Sequence, residues 1–190
     1  MGFAYAKYID LLEIDPVHRY PNLLRIYNYK SVTPIVDVSI LEKCGLLVSP
    51  LIVAGIPESI KEGSWKVMGT VSVTSEEKII PQYKLCEPSE PPILLEEEKA
   101  RNWFYVIDAD KFSKKVKSTY NNVKHLETLQ ATGADLRTKI AMAFLKEEGK
   151  KIEDYFELKD FFEKVYYNEV TKIPAYYRQS NDMKGKALQA

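Results

Sequence analysis

The chain has 190 residues, 45% of them hydrophobic and 28% charged, with Lys plus Arg and Asp plus Glu equal at 27 each. That length supports one good core, and the composition is that of an ordinary globular domain. Zero net charge argues against a dedicated nucleic-acid or membrane-surface binder, which normally carries a basic excess.

Thirteen Tyr, seven Phe and two Trp are the unusual part of the composition. Tyr joins a large apolar body to a polar tip, so it suits half-buried strand positions and partner surfaces alike. The two cysteines, Cys44 and Cys86, have no metal-like spacing. The opening residues lack the apolar core of a signal peptide. No apolar stretch approaches the ~20 residues of a bilayer span. A cytoplasmic protein with two reduced thiols is the expectation.

Taken in chain order, residues 11–14 form a short apolar run ending at the Asp15-Pro16 turn signal. Residues 23–29 alternate, and 32–38 are a β-branched run in which Pro34 marks an edge or bulge. Residues 39–44 fit one helical turn, with Ser39 as N-cap, Glu42 at the capping-box position and Gly45 as the stop. Residues 46–54 read as a strand buried on both faces. Residues 65–73 predict a strand with Trp65, Val67, Gly69, Val71 and Val73 on one face. A further strand over 79–85 is broken by Pro81, and Asn102 to Ile107 form an aromatic strand. Trp65 and Trp103 are assigned to the core, as cross-strand neighbours or on opposite sheet faces.

Past Tyr120 the hydrophobic period changes from two to 3.6. A short stripe of Val123, Leu126 and Leu129 precedes a clearer helix start, with Thr132 as N-cap and Asp135 at the capping-box position. Leu136, Ile140 and Phe144 then share a face with Ala143, while Arg137, Lys139 and Lys146 point away, and Gly149 ends the helix. A second helix over about 152–171 carries a broad stripe of Tyr155, Phe156, Leu158, Phe161, Phe162, Val165, Tyr166 and Val170, and stops at Pro174. The expected fold is α+β: a strongly bent, mainly antiparallel sheet or small SH3-like barrel with two C-terminal helices packed on it. Residues 1–120 form the β-rich domain, 121–173 the helical part packed on the sheet as one structural unit, and 174–190 a frayed tail.

Reactive chemistry is not written in this sequence. His18 and His125 lie over a hundred residues apart without Cys, Asp or Glu at ligand spacing, so no metal is expected. Neither cysteine has a neighbour that would activate it, and no nucleophile elbow, phosphate loop or dinucleotide fingerprint occurs. Asp108 and Asp110 read as a turn after a strand rather than a catalytic pair. No catalytic residue and no cofactor is assigned. Lys111, Lys114, Lys115 and Lys117, interleaved with Phe112 and Tyr120, are the one basic cluster. They carry the alternative function, a nucleic-acid-binding SH3-like module, although a solvated face is the simpler reading. Residues 86–101 hold three prolines and the acidic run Glu96, Glu97 and Glu98 beside Ile93, Leu94 and Leu95. These six residues are the expected partner contacts, an acidic arm with an apolar tip.

The ordered motifs resemble one family. An apolar run over 37–54 leads to Gly63-Ser64-Trp65-Lys66-Val67-Met68-Gly69, then Pro81-Gln82-Tyr83, Trp103-Phe104-Tyr105-Val106-Ile107, and Gly133 before the 136–144 helix. Order and spacing over about residues 23–149 resemble the immunity protein 26 family of bacterial polymorphic-toxin systems. That resemblance implies a non-enzymatic protein whose partner is a cognate protein toxin, with Trp65 and the glycines as scaffold. It implies no catalytic residues.

Overall fold

The computed structural model describes residues 2–13, 22–35, 37–87, 102–107, 114–129 and 136–188. Two antiparallel three-stranded sheets and a set of short helices make an α+β fold, and no barrel closes. The single bent sheet expected from the sequence is divided in two.

The first sheet has the order β1 (Phe3–Asp10), β2 (Asn22–Ser31), β3 (Leu51–Val53). The β1–β2 ladder shifts register between Ala4 and Ala6. This bulge sits at Tyr5, whose hydroxyl contacts Ser31 Oγ at 2.6 Å and accepts from the Ile35 amide at 2.9 Å. On its far side β2 pairs with β3 and then with the segment around Leu46, through Leu47 N–H to the Ile26 carbonyl at 2.9 Å and Asn28 N–H to the Gly45 carbonyl at 2.8 Å. A strand flanked on both sides is the most buried, and Leu23, Leu24 and Ile26 are at most 1% exposed. The second sheet has the order β4 (Tyr83–Glu87), β5 (Asn102–Val106), β6 (Lys115–Ser118). It is linked to the first by Tyr83, which packs among Ile9, Leu11, Leu23 and Ile52 and donates to the Pro50 carbonyl at 2.8 Å.

Short helices α1 (Ser39–Glu42), α2 (Ile56–Lys61) and α3 (Tyr120–Val123) connect these parts. In α1 the cap position is Val38, and the Ser39 amide is instead satisfied by Asp37 Oδ1 at 2.9 Å. Helix α4 (Leu136–Glu147) ends where expected: Lys150 N–H bonds the Leu145 carbonyl and Gly149 N–H the Lys146 carbonyl, with Gly149 at φ +69°. That is the Schellman closure, for which a left-handed glycine is the natural choice. Helix α5 (Phe161–Lys172) is shorter than the sequence predicts. Residues 152–154 form one 3-10 turn, and Leu158 takes φ +53°. The break lets Asp160 cap α5, accepting from the Phe162 and Glu163 amides at 2.8 and 3.2 Å.

The main core joins both halves of the chain: Leu24, Ile26, Leu47, Val53 and Ile56 pack with Leu136, Ile140, Met142, Val165, Tyr166 and Val170. Three further expectations need correction. Residues 66–74 join no sheet, and Trp65 is only half-buried against the main core, whereas Trp103 is buried on β5 against Val123 and Leu126. The two tryptophans are therefore not sheet neighbours. Among the described residues, 32–35 and 37–38 form no strand. The end of the chain, expected to fray, docks: Tyr176 and Tyr177 amides bond the Leu47 and Leu46 carbonyls, Gln82 N–H the Gly185 carbonyl, and Leu188 N–H the Asn122 carbonyl. Gly45 is required there, because a Cβ would lie 2.5 Å from Tyr177 Cβ.

Candidate functional site

The expected contact residues Ile93, Leu94, Leu95, Glu96, Glu97 and Glu98 lie outside the described residues, as do His18, Asp108, Asp110, Lys111, Thr132, Gly133 and Asp135. Of the arm, only its described flanks can be placed: Glu87 and Asn102 face each other at the end of the β4–β5 ladder. Lys114, Lys115 and Lys117 lie on or beside β6. Lys115 is engaged, ion-paired to Glu87 and 5.0 Å from the Phe104 ring centroid. Cys44 and Cys86 are both in the thiol form rather than in a disulfide, and Cys86 is buried. Among the described residues, no three His, Cys, Asp or Glu side chains gather in a way that could hold a metal ion. No described helix is long and apolar enough to cross a membrane.

The most unusual chemistry is buried. Lys139, on α4, donates to Glu127 Oε2 at 2.6 Å and to Glu169 Oε2, on α5, at 2.8 Å, with side chains 5%, 2% and 6% exposed. Lys84 of β4 lies nearby and donates to the Lys124 carbonyl at 3.1 Å. Its backbone brings residue 127 into place, Lys84 N–H bonding the Glu127 carbonyl at 2.8 Å. Burial disfavours the Lys139 ammonium, but Glu127 and Glu169 outweigh it and hold that ammonium charged well above the ordinary lysine range. Burial likewise pushes the Glu169 carboxyl up, and Lys139 and Lys84 together pull it below its ordinary value. For Lys84 desolvation wins and the amine is lowered. Two cations and two anions thus balance across β4, α4 and α5, sealed from solvent. The arrangement can fix those elements against one another.

Sequence reasoning placed Lys139 and Lys146 on the solvent side of α4. Lys146 instead donates to the Val170 and Ile173 carbonyls at 2.6 and 3.0 Å. A signal for Lys139 existed: it stands at i+3 from Leu136, inside the apolar stripe, just as Glu169 stands beside Val170 in the stripe of α5. Opposite charges set within two facing stripes point to a buried pair.

What is open to a partner lies at the start of α5. Tyr155, Phe161 and Phe162, expected in the core, are 57%, 38% and 36% exposed. Phe161 and Phe162 meet edge-to-face at 5.4 Å, and Phe162 stacks on Tyr166 at 6.3 Å. Around them Glu153, Asp154, Glu157 and Asp160 are exposed, as are Lys150, Lys151, Lys159 and Lys164, with Lys150 5.9 Å from the Tyr155 ring centroid and Lys159 paired with Glu157 at 2.7 Å. The Tyr167 hydroxyl, hydrogen-bonded to Glu153, holds that carboxyl below its ordinary value. Exposed aromatics with a charged rim have the composition of a protein-binding surface.

No curated protein and no solved structure matches the chain significantly. A family model does match, and it takes in the Trp65 and Pro81–Tyr83 motifs while β5 and α4 lie beyond it. Residues 1–91 match the model of the Immunity protein 26 family, the family that the ordered motifs resemble, and over that stretch the chain is similar to proteins of the toxin-neutralising class.

Proposed function

We propose that the chain is an immunity protein that binds and neutralises a cognate toxin of a bacterial polymorphic-toxin system, by occupancy rather than catalysis, in the cytoplasm. The match of residues 1–91 to the immunity family carries this reading. The acidic run Glu96, Glu97 and Glu98 with the Ile93–Leu95 tip is the proposed contact. The exposed aromatics at Tyr155, Phe161 and Phe162 support a protein partner, since exposed aromatic clusters are the usual anchors of such contacts.

The test is co-expression with the toxic domain encoded beside this chain in its own locus. Restored growth and a stoichiometric complex are the expected result; unrelieved toxicity with no complex refutes the reading. Reversing Glu96, Glu97 and Glu98 to Lys should slow association, more so at low salt, with stability unchanged. An association rate that does not move places the interface elsewhere.

A further inference from the structure

Beside the buried ionic cluster stands one hydroxyl that the cluster does not satisfy. Thr128 follows Glu127 and lies against β4 through a parallel bridge to Lys84, where Leu129 N–H bonds the Lys84 carbonyl at 3.2 Å. The residue is 8% exposed, and its hydroxyl oxygen is buried without a hydrogen-bond partner among the described residues. It lies near enough to Glu169 to help hold that carboxyl below its ordinary value, yet outside bonding distance of it. Buried side-chain hydroxyls in folded proteins are bonded, either to protein or to ordered water.

Lys139 has capacity to spare as well. An ammonium carries three donors, and two of them are used, on Glu127 Oε2 and Glu169 Oε2. Beyond these carboxylates the Tyr166 ring centroid, 6.0 Å from Nζ, is at the limit of a cation–π contact. Thr128, Lys139 and Glu169 line one cavity of about 10 Å³, with Leu51, Val53 and Leu136 as its apolar walls.

Volume and charge together select what this cavity can hold. Its size suits a single water-sized molecule. Lys84 and Lys139 already balance Glu127 and Glu169, so a bound cation or anion would add an uncompensated buried charge. An apolar occupant would leave the Thr128 hydroxyl and the third Lys139 donor unbonded. Water meets every requirement: it is neutral, small enough, and both donor and acceptor. Three polar partners are also the usual number for an internal water.

We propose that this cavity is a specific site for one internal water molecule, which accepts from Lys139 Nζ, donates to the Glu169 carboxylate and bonds the Thr128 hydroxyl. The water adds Thr128 to the network that joins β4, α4 and α5. This inference does not depend on toxin binding, and either can fail alone.

A crystal structure of the full chain, at a resolution that shows ordered water, tests it directly. A water peak is expected within about 3.2 Å of both Thr128 Oγ1 and a Glu169 carboxylate oxygen. Oxygen-17 magnetic relaxation dispersion gives the number of long-lived internal waters in solution. Thr128→Ile replaces the hydroxyl by a methyl and puts one more carbon into the cavity, so that number should fall by one. Thr128→Ser keeps the hydroxyl and should keep the water. Far-UV circular dichroism checks that the variants fold, and the wild-type crystal structure decides if Thr128→Ile does not. A Thr128 hydroxyl bonded directly to Glu169, with no water peak between them, overturns the proposal. So does a number of internal waters that Thr128→Ile leaves unchanged, or that Thr128→Ser lowers as much.

Discussion

Replacing Lys139 by Met is the sharpest perturbation of this fold. It keeps the volume and the helix propensity of the site and removes one charge from a balanced set of four. Glu127 and Glu169, 2% and 6% exposed, are then left with Lys84 as the only buried cation of the cluster. Removing one partner of a buried pair costs ~3–5 kcal/mol, because the remaining charge can neither pair nor hydrate. In a chain of this size that corresponds to a fall in Tm of roughly 6–20 °C. Urea unfolding followed by far-UV circular dichroism reads the loss directly. The second variant, Lys139→Met with Glu169→Leu, restores charge balance between Lys84 and Glu127, so most of the loss should return. The pH dependence has a definite sign. Glu169 is held below its ordinary value, so its contribution is present above an unfolded pKa of 4.5 and is lost as pH falls through the depressed folded value. Lys139 is held above its ordinary 10.5, so its contribution is complete below that value and is lost only as pH rises past the elevated one. The gap between wild type and Lys139→Met should therefore stay level between about pH 5 and 10 and close in acid. A loss under ~1 kcal/mol, the size of an exposed pair, or a double variant weaker than the single, would refute the reasoning.

Trp103→Ala should cost ~3–5 kcal/mol by leaving a cavity beside Val123 and Leu126, and Trp65→Ala about half as much because that ring is only half-buried; equal losses in urea titrations would contradict the packing. Gly45→Ala should cost ~1–3 kcal/mol by overpacking against Tyr177, and the loss should shrink in a chain ended after Pro174. Deleting residues 152–190 removes Val165, Tyr166 and Val170 from the core and Glu169 from the charge cluster. Cooperative melting should be lost, and an unchanged transition would show that α5 is no part of the core.

The parts of the fold legible in the sequence are those whose burial is local in origin. Strand β2 carries an apolar run because it is flanked and buried on both sides, β5 carries its aromatic run into the centre of its sheet, and α4 ends at Gly149, where a left-handed residue is needed. The rest depends on distant contacts. Residues 66–74 have strand composition, but pairing is a property of a neighbour, and among the described residues none pairs with them. The stripe over 152–171 is continuous in sequence, yet Leu158 and the Asp160 cap divide it and turn Tyr155, Phe161 and Phe162 outward. The docking of residues 176–188 rests on backbone carbonyls at Leu46, Leu47 and Asn122, which no side-chain pattern announces. Lys139 could have been found, since its i+3 spacing from Leu136 was visible, but amphipathic reasoning by itself sends a lysine to water.

The match to the immunity family stops at residue 91, and the physical unit does not. Leu24, Ile26, Leu47 and Val53 from the matched stretch share one cluster with Ile140, Val165 and Val170 from beyond it. Lys84, inside the match, balances its charge against Glu127 and Glu169, outside it. Neither half can therefore be treated as a detachable module: the matched stretch without α4 and α5 would expose half of its core and leave Lys84 without a carboxylate. The surfaces divide differently. The exposed aromatics at Tyr155, Phe161 and Phe162 lie beyond the match, whereas the exposed Val67, Met68 and Val71 lie within it. Because a single core joins the two stretches, a variant that weakens it, such as Lys139→Met, should lower the stability of the matched stretch and of α4 and α5 together, in one urea transition.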